Sequence, residues 1–205
     1  MGKARIRMAT PDDAAAILGL YAPYIENTAI TFEVSVPALD AFKDRIVTIS
    51  ARYPYLVCCI GDTVLGFAYA NTHMERAAYQ WNATLSVYIR QGTGGRGMGT
   101  GLYHTLLGML RLQNFKNVFG GITLPNEASV RLHRHFGFTS LCVYKNTGYK
   151  CGRWHDVAWY EKILGRHESG PNPPLPVKAI AKEECARLMH EGENLIAEPA
   201  PTSPS

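Results

Sequence analysis

Cysteine is sparse and unpatterned: Cys58, Cys59, Cys142, Cys151 and Cys185 form no CxxC pair and no Cys/His spacing of a zinc site, so no metal is expected. Their number is odd, and the start of the chain, MGKARIRMATPDD, lacks the apolar core of a secretion signal. Reduced thiols and a cytoplasmic location are therefore expected. Ile6 stands where a myristoylation signal needs Ser or Thr. Long apolar runs are missing too; nothing approaches the roughly 20 residues of a bilayer span, and no membrane partner is expected. One-sided charge is also lacking. The 21 Lys and Arg exceed the 17 Asp and Glu by 4 and are scattered along the chain. That excludes nucleic acid as the main partner but suits an anionic small ligand.

Hydrophobic residues make up 46% of the 205, an ordinary globular share that fits one domain with a small appendage. Residues 4–9 alternate apolar and basic side chains, as a half-buried strand does. Thr10-Pro11-Asp12-Asp13 reads as a helix start, followed by Ile17, Leu18, Tyr21 and Ile25, with a kink or early break expected at Pro23. Pro37 opens a second helix through Leu39, Phe42, Ile46 and Ile49. Tyr55–Ile60 and Thr63–Tyr69 flank a Gly61-Asp62 turn as a hairpin. Ala83–Ile89 is a strand, residues 97–113 a helix, Val118–Thr123 a strand, Asn126–Phe136 a helix, and Thr139–Lys145 and Val157–Ile163 the last strands. This order predicts a mixed α/β sheet rather than a repeated βαβ array. Residues 1–164 form the main domain and 165–176 a Pro-rich linker, extended or mobile. Residues 177–205 form an extension with a short amphipathic helix over 177–197, a disordered EPAPTSPS end and no visible chemistry.

The most informative stretch runs from Leu85 to Leu102. A strand enters six glycines (92, 94, 95, 97, 99 and 101) within ten residues, then a helix with Met98, Leu102, Leu106 and Met109 on one stripe. Unobstructed backbone N–H groups at a helix N-terminus, with Arg96 beside them, read as a cradle for a pyrophosphate. The Lys of a P-loop is missing, and the early βαβ unit of a dinucleotide fold is absent. Coenzyme A remains as the natural guest.

SVYI, the GGRGMG turn and LPNEASVRLHRHFGF together resemble the GNAT N-acetyltransferase superfamily over roughly residues 4–164. ARYPYLV, RAAYQW, ITLPNEASVRLH and GRWHDVAWYEK are similar to its phosphinothricin and methionine sulfoximine N-acetyltransferases. The resemblance implies a GNAT fold: a mostly antiparallel sheet with a splayed central parallel strand pair, flanked by helices. It further implies acetyl-CoA as donor, a small-molecule amine as acceptor and a homodimer.

Carried over by residue, Gly94, Gly95, Arg96, Gly97, Met98 and Gly99 take the pyrophosphate turn, with Gly94 where such enzymes place Gln or Arg. Val87 and Ile89 offer main-chain groups to the pantetheine arm and the acetyl carbonyl, Asn126 meets the pantetheine, and Tyr88, Thr100 and Ser129 fall beside them. His133, two helical turns after Asn126 and on the same face, takes the place of the acid that protonates the leaving thiolate, with an inert packed His as the alternative; His135 receives no role. Arg76 resembles the Arg near the acceptor's acid group, with an ordinary surface Arg as the alternative. Phe32, Glu33 and Tyr79 shape the acceptor pocket, with core or loop-anchoring positions open for Phe32, Tyr79 and Trp81. One position departs: three residues after Trp81, where the family has a Glu base, stands Thr84, which cannot accept a proton near neutrality. Ordered water, Glu33, Glu75 or His73 are the replacements. His155 and Asp156, adjacent on a strand, face opposite ways and make no dyad. Two rivals stay open: an acetyltransferase for another amine (a polyamine, an antibiotic or a protein N-terminus), and a non-catalytic acetyl-CoA-binding module.

Overall fold

The computed structural model describes residues 2–197, so the reading of Glu198–Ser205 as disordered lies outside the described residues. The alternating Ala4–Met8 forms strand β1, and Arg7 closes onto Asp13 with paired contacts of 2.7 and 2.6 Å. Asp13 also accepts from the Thr10 backbone and side chain, which fixes the entry to helix α1 (Ala14–Asn27). Of the kink or early break expected at Pro23, the break does not occur: α1 runs through it. Proline removes one N–H bond, and the burial of Ile17, Leu20, Tyr21 and Ile25 outweighs that loss. Helix α2 (Leu39–Ser50) follows, two residues later than Pro37 suggested.

Strands β2 (Tyr55–Ile60) and β3 (Thr63–Thr72) make the expected hairpin with Gly61 at φ +55°, then β4 spans Asn82–Ile89. Helix α3 (Met98–Leu112), β5 (Asn117–Thr123) and α4 (Glu127–His135) complete the central motif. The last hairpin is longer than expected: β6 covers Thr139–Lys150 and β7 Arg153–Ile163. Its register shifts between Tyr144 and Gly148, and its tip turns through Cys151 (φ +50°) and Gly152 (φ +75°). The irregularity breaks the period-2 pattern that marks a strand in sequence.

The sheet runs β1-β2-β3-β4-β5-β7-β6, antiparallel throughout except β4 against β5. Those two pair only from Asn82–Thr84 to Asn117–Phe119 and then separate. One face carries Tyr55, Phe67, Tyr69 and Tyr88, stacked on one another and met by Tyr21 and Tyr24 of α1. The other takes α3, whose Leu102 lies over Gly66.

Residues 165–176 are extended but pinned. Trp81 Nε1 and Asn114 Nδ2 donate to Asn172 O (2.8 and 2.7 Å), Gln113 and Leu175 exchange backbone and side-chain bonds, and Lys116 pairs with Glu168 at 2.7 Å. Trp81 therefore anchors this segment. Helix α5 (Lys182–Asn194) buries Leu188 against α3. Its Glu193 Oε1 accepts from the Ile6 N–H of edge strand β1 at 2.8 Å, which occupies a donor that an edge otherwise leaves free.

Candidate active site in the split of the sheet

Where β4 parts from β5, a cavity of about 710 Å³ passes through the sheet, within the range of cofactor sites. At one end lie Tyr24, Ile30, Ser86 and Tyr88, on the α1 face; at the other lie the glycine turn, Met98, Tyr103, Leu132 and His133. Arg90 N–H bonds to Leu65 O (2.7 Å) on the β3 side. By strand alternation, Val87 and Ile89 turn their N–H and C=O the other way, into the split. Ile89 O accepts from the Tyr24 hydroxyl.

The turn at the far end is open. A Cβ on Gly92, Gly94 or Gly95 would meet nothing within 4 Å, and Gly92, Gly95 and Gly97 hold φ values of +79°, +82° and +81° that favour glycine. Arg96 lines the cavity, and its buried Nε has no acceptor among the described residues. Arg90 and Arg131 add positive charge to the wall. An orphaned guanidinium N–H, open backbone donors and the α3 N-terminus fit an anionic pyrophosphate. Asn126 caps α4, its Oδ1 accepting from Ser129 N at 3.1 Å.

Every donor-side residue singled out from sequence lines this cavity: Val87, Tyr88, Ile89, Gly94, Gly95, Arg96, Gly97, Met98, Gly99, Thr100, Asn126 and Ser129, together with His133. Tyr24, Tyr103 and Ser86 were not singled out. Tyr24 comes from a distant segment, Tyr103 carries no motif, and Ser86 opens the SVYI stretch with no side-chain role of its own there; the fold brings the three together. His135, assigned no role, stands at the rim.

His133 is buried, 3% exposed, with both ring nitrogens engaged. Ser129 O, a pure acceptor 2.8 Å from Nδ1, fixes the proton there, so Nε2 accepts from the Tyr103 hydroxyl at 3.0 Å. Burial lowers the His133 pKa, against a smaller rise from the Ser129 bond, and raises that of Tyr103. Gly120 makes room for the ring; a Cβ there would collide with Nε2.

The acceptor-side residues lie elsewhere. Phe32 sits over Gly148, and the Glu33 carboxylate is taken by Arg45 (2.6 and 3.3 Å) and the Tyr21 hydroxyl (3.2 Å). Arg76 and Tyr79 are exposed in the turn before β4, outside the cavity lining. Thr84 is not in the lining either, but its Oγ1 is 2.9 Å from His73 Nδ1. The His73 ring stacks on Phe119 at 4.1 Å and meets Trp159 edge-on at 5.8 Å; Trp159 in turn covers Gly121 of the cavity wall. Burial lowers the His73 pKa. His155 is buried with Nε2 3.0 Å from Lys150 O, while Asp156 accepts from Lys145 at 2.8 Å, so the two do face apart.

Among the described residues no group of three or more His, Cys, Asp or Glu is placed to hold a metal, and no helix is long and apolar enough to cross a membrane.

Residues 6–159 match the family model of an acetyltransferase (GNAT) domain. A phosphinothricin N-acetyltransferase of Streptomyces viridochromogenes is 36% identical over 177 residues, covering 86% of this chain and 94% of that protein. An L-methionine sulfoximine/L-methionine sulfone acetyltransferase of Salmonella typhimurium is 30% identical, covering 79% and 95%. The crystal structure of a GNAT superfamily phosphinothricin acetyltransferase from Sinorhizobium meliloti, in complex with AcCoA, superposes with a TM-score of 0.79 at 30% identity, covering 85% and 98%.

Proposed function

The chain belongs to the GNAT acetyltransferase family, and on that premise we propose that it moves the acetyl group of acetyl-CoA to the amino group of a small amino-acid-like acceptor. Phosphinothricin, methionine sulfoximine and methionine sulfone are the acceptor types that the named relatives support. The observation that carries the reading is the cavity through the sheet, with the glycine turn at one mouth and Tyr24, Ser86 and Tyr88 at the other. Donor and acceptor can approach from opposite faces and meet at the main chain of Val87 and Ile89.

Acetyl-CoA brings the activated thioester; the chain supplies position and proton transfer. Backbone N–H groups of the split strand orient the acetyl carbonyl. The acceptor's ammonium must first lose a proton, and His73 is the group we assign to take it. With Nδ1–H donating to Thr84 Oγ1, Nε2 keeps a free lone pair, and Thr84 remains an acceptor for the imidazolium. Glu33, already satisfied by Arg45, is the weaker candidate. As the C–N bond forms and the C–S bond breaks, the nitrogen sheds its second proton and the sulfur takes one; the Nε2 lone pair of neutral His133 accepts that proton and hands it to the sulfur. The Tyr103 hydroxyl donates to Nε2 and must rotate away for that step. Arg76, exposed in the turn before β4 and outside the cavity lining, is assigned to the acceptor's acid group on the resemblance alone, which requires its turn to close over the bound molecule.

A second acceptor class is favoured by one pair of observations. Thr84 replaces a carboxylate and Arg76 stands outside the cavity, which suits an amine without an acid group. We place the protein in the cytoplasm on its five unpaired thiols. We assign it a homodimer on the exposed edge strand β6, where Leu141, Val143, Tyr144 and Tyr149 are exposed.

The test is thiol release from acetyl-CoA with phosphinothricin, methionine sulfoximine, methionine sulfone and a panel of other amines. Release with the amino-acid analogues is expected, and it should drop about 10²-fold in His133→Ala while Tyr103→Phe keeps most of it. Silence with those analogues and turnover with a polyamine would move the assignment to the second class. Acetyl-CoA binding with no turnover on any amine would leave a binding module.

A further inference from the structure

The C-terminal segment lies beyond the matched domain of residues 6–159, yet it reaches the donor turn. Along α3 the side facing α5 is stripped of bulk. A Cβ on Gly97 would collide with Leu195 O, one on Gly101 with Gly192 O, and one on Gly108 with the Leu188 side chain. The fit is mutual: a Cβ on Gly192 would strike Thr105 Oγ1 and lie 2.6 Å from Gly101 O. Thr105 Oγ1 donates to Leu188 O at 3.1 Å. Two of the six glycines that read as pyrophosphate cradle, Gly97 and Gly101, are thus held small by this helix.

A second set of contacts acts on the turn itself. Past α5, Ala197 N–H donates to Arg96 O at 2.9 Å, and Arg96 Nη2 donates back to Ala197 O at 3.3 Å. Arg96 is the one charged residue of the GGRGMG turn, and its Nε is the buried donor that lacks an acceptor among the described residues. The segment after α5 therefore fixes both the backbone and the side chain of the residue best placed to meet an anion.

We propose that residues 182–197 are a strap that pre-forms the glycine turn, so that donor affinity depends on a segment outside the family domain. Glycine loses more conformational freedom on ordering than any other residue. A turn this rich in glycine binds weakly if its ordering is left to the moment of binding. The reciprocal bonds at Arg96 place that ordering in folding instead. The inference rests on the turn's assignment to acetyl-CoA.

Two variants test it: Ala197→Pro, which removes the N–H donated to Arg96 O, and a chain ended after Ile196, which leaves the buried face of α5 intact. Acetyl-CoA binding is measured by calorimetry, with KM for both substrates, kcat and Tm alongside. The dissociation constant and KM for acetyl-CoA should rise about tenfold, as loss of one or two ordered hydrogen bonds implies. KM for the acceptor should stay unchanged, and kcat at saturating acetyl-CoA within about twofold. A lowered Tm with unaltered acetyl-CoA affinity would make the contact structural only and overturn the strap. If the unaltered chain itself binds no acetyl-CoA, the donor assignment falls first, and the strap's role with it.

Discussion

At the residue scale, the question turns on what takes a proton where Thr84 stands. The groups in contact with the His73 ring, Thr84, Phe119 and Trp159, are uncharged. Glu75 and Arg76 follow it on its own exposed turn, and Glu161 pairs with Phe119 one strand further on. Burial is the cause of its lowered pKa, so the ring is neutral, and able to act as a base, at pH 7. The variant His73→Gln keeps a hydrogen-bonding group for Thr84 but cannot carry the proton. Its kcat should fall about 10²-fold. The parent's pH–rate profile should decline on the acid side below the ordinary histidine value of 6.5, and that limb should vanish in the variant. An unchanged acid limb in His73→Gln would exclude His73 as the acceptor of the proton. Sequence made the donor side legible because its residues sit in one local pattern, strand to glycine turn to helix. The acceptor side was not legible, because its contacts are remote in sequence: Phe32 on Gly148, Glu33 on Arg45, His73 on Thr84 and Phe119.

Elements followed the sequence where side-chain periodicity decides and departed from it where backbone contacts decide. The β2–β3 hairpin and the β4–turn–α3 unit are where the pattern places them. Helix α5 shows a weak apolar stripe, because much of its grip on α3 is glycine against backbone, which leaves no hydrophobic signature. The β6–β7 hairpin is longer than its sequence pattern because Asn146 and Gly148 sit inside its shifted register. The proposed dimer rests on that extra length. Strand β6 is an edge, and Leu141, Val143, Tyr144 and Tyr149 along it are exposed. A monomer normally guards such an edge with charge, and the exposed mid-strand cation of β6, Lys145, is paired with Asp156 of β7. Val143→Lys places such a charge mid-strand and should convert a dimer to a monomer in light scattering, with the fold retained in circular dichroism. A wild-type chain that scatters as a monomer would remove the dimer; a variant that stays dimeric would move the interface off β6.

At the scale of the whole molecule, two histidines withdrawn from solvent, His133 and His73, tie stability to pH. His133 is almost wholly buried and His73 partly so, and burial lowers both pKa values from 6.5. In the unfolded chain each titrates near 6.5; in the folded chain each holds its proton more weakly. Between the two values the unfolded state binds more protons, so stability is constant above about pH 7 and falls as the pH drops below 6.5. A second decline belongs to Asp13, whose pKa is held below 3.8 chiefly by the bond from Arg7. It begins only as the pH approaches that value from above, so the two are separable. Melting temperature should be flat from pH 7 to 8 and lower at pH 5.5, by roughly 2–4 °C for each kcal/mol lost in a chain of this size. The variant His133→Gln, which carries no titrating ring, should melt lower at neutral pH, since Tyr103 and Ser129 lose a fitted partner. It should nevertheless show a shallower fall between pH 7 and 5.5 than the parent. An equal slope in both would mean that His133 keeps its ordinary affinity for protons in the fold. That result would also withdraw the support its burial gives to a neutral ring in the cavity wall.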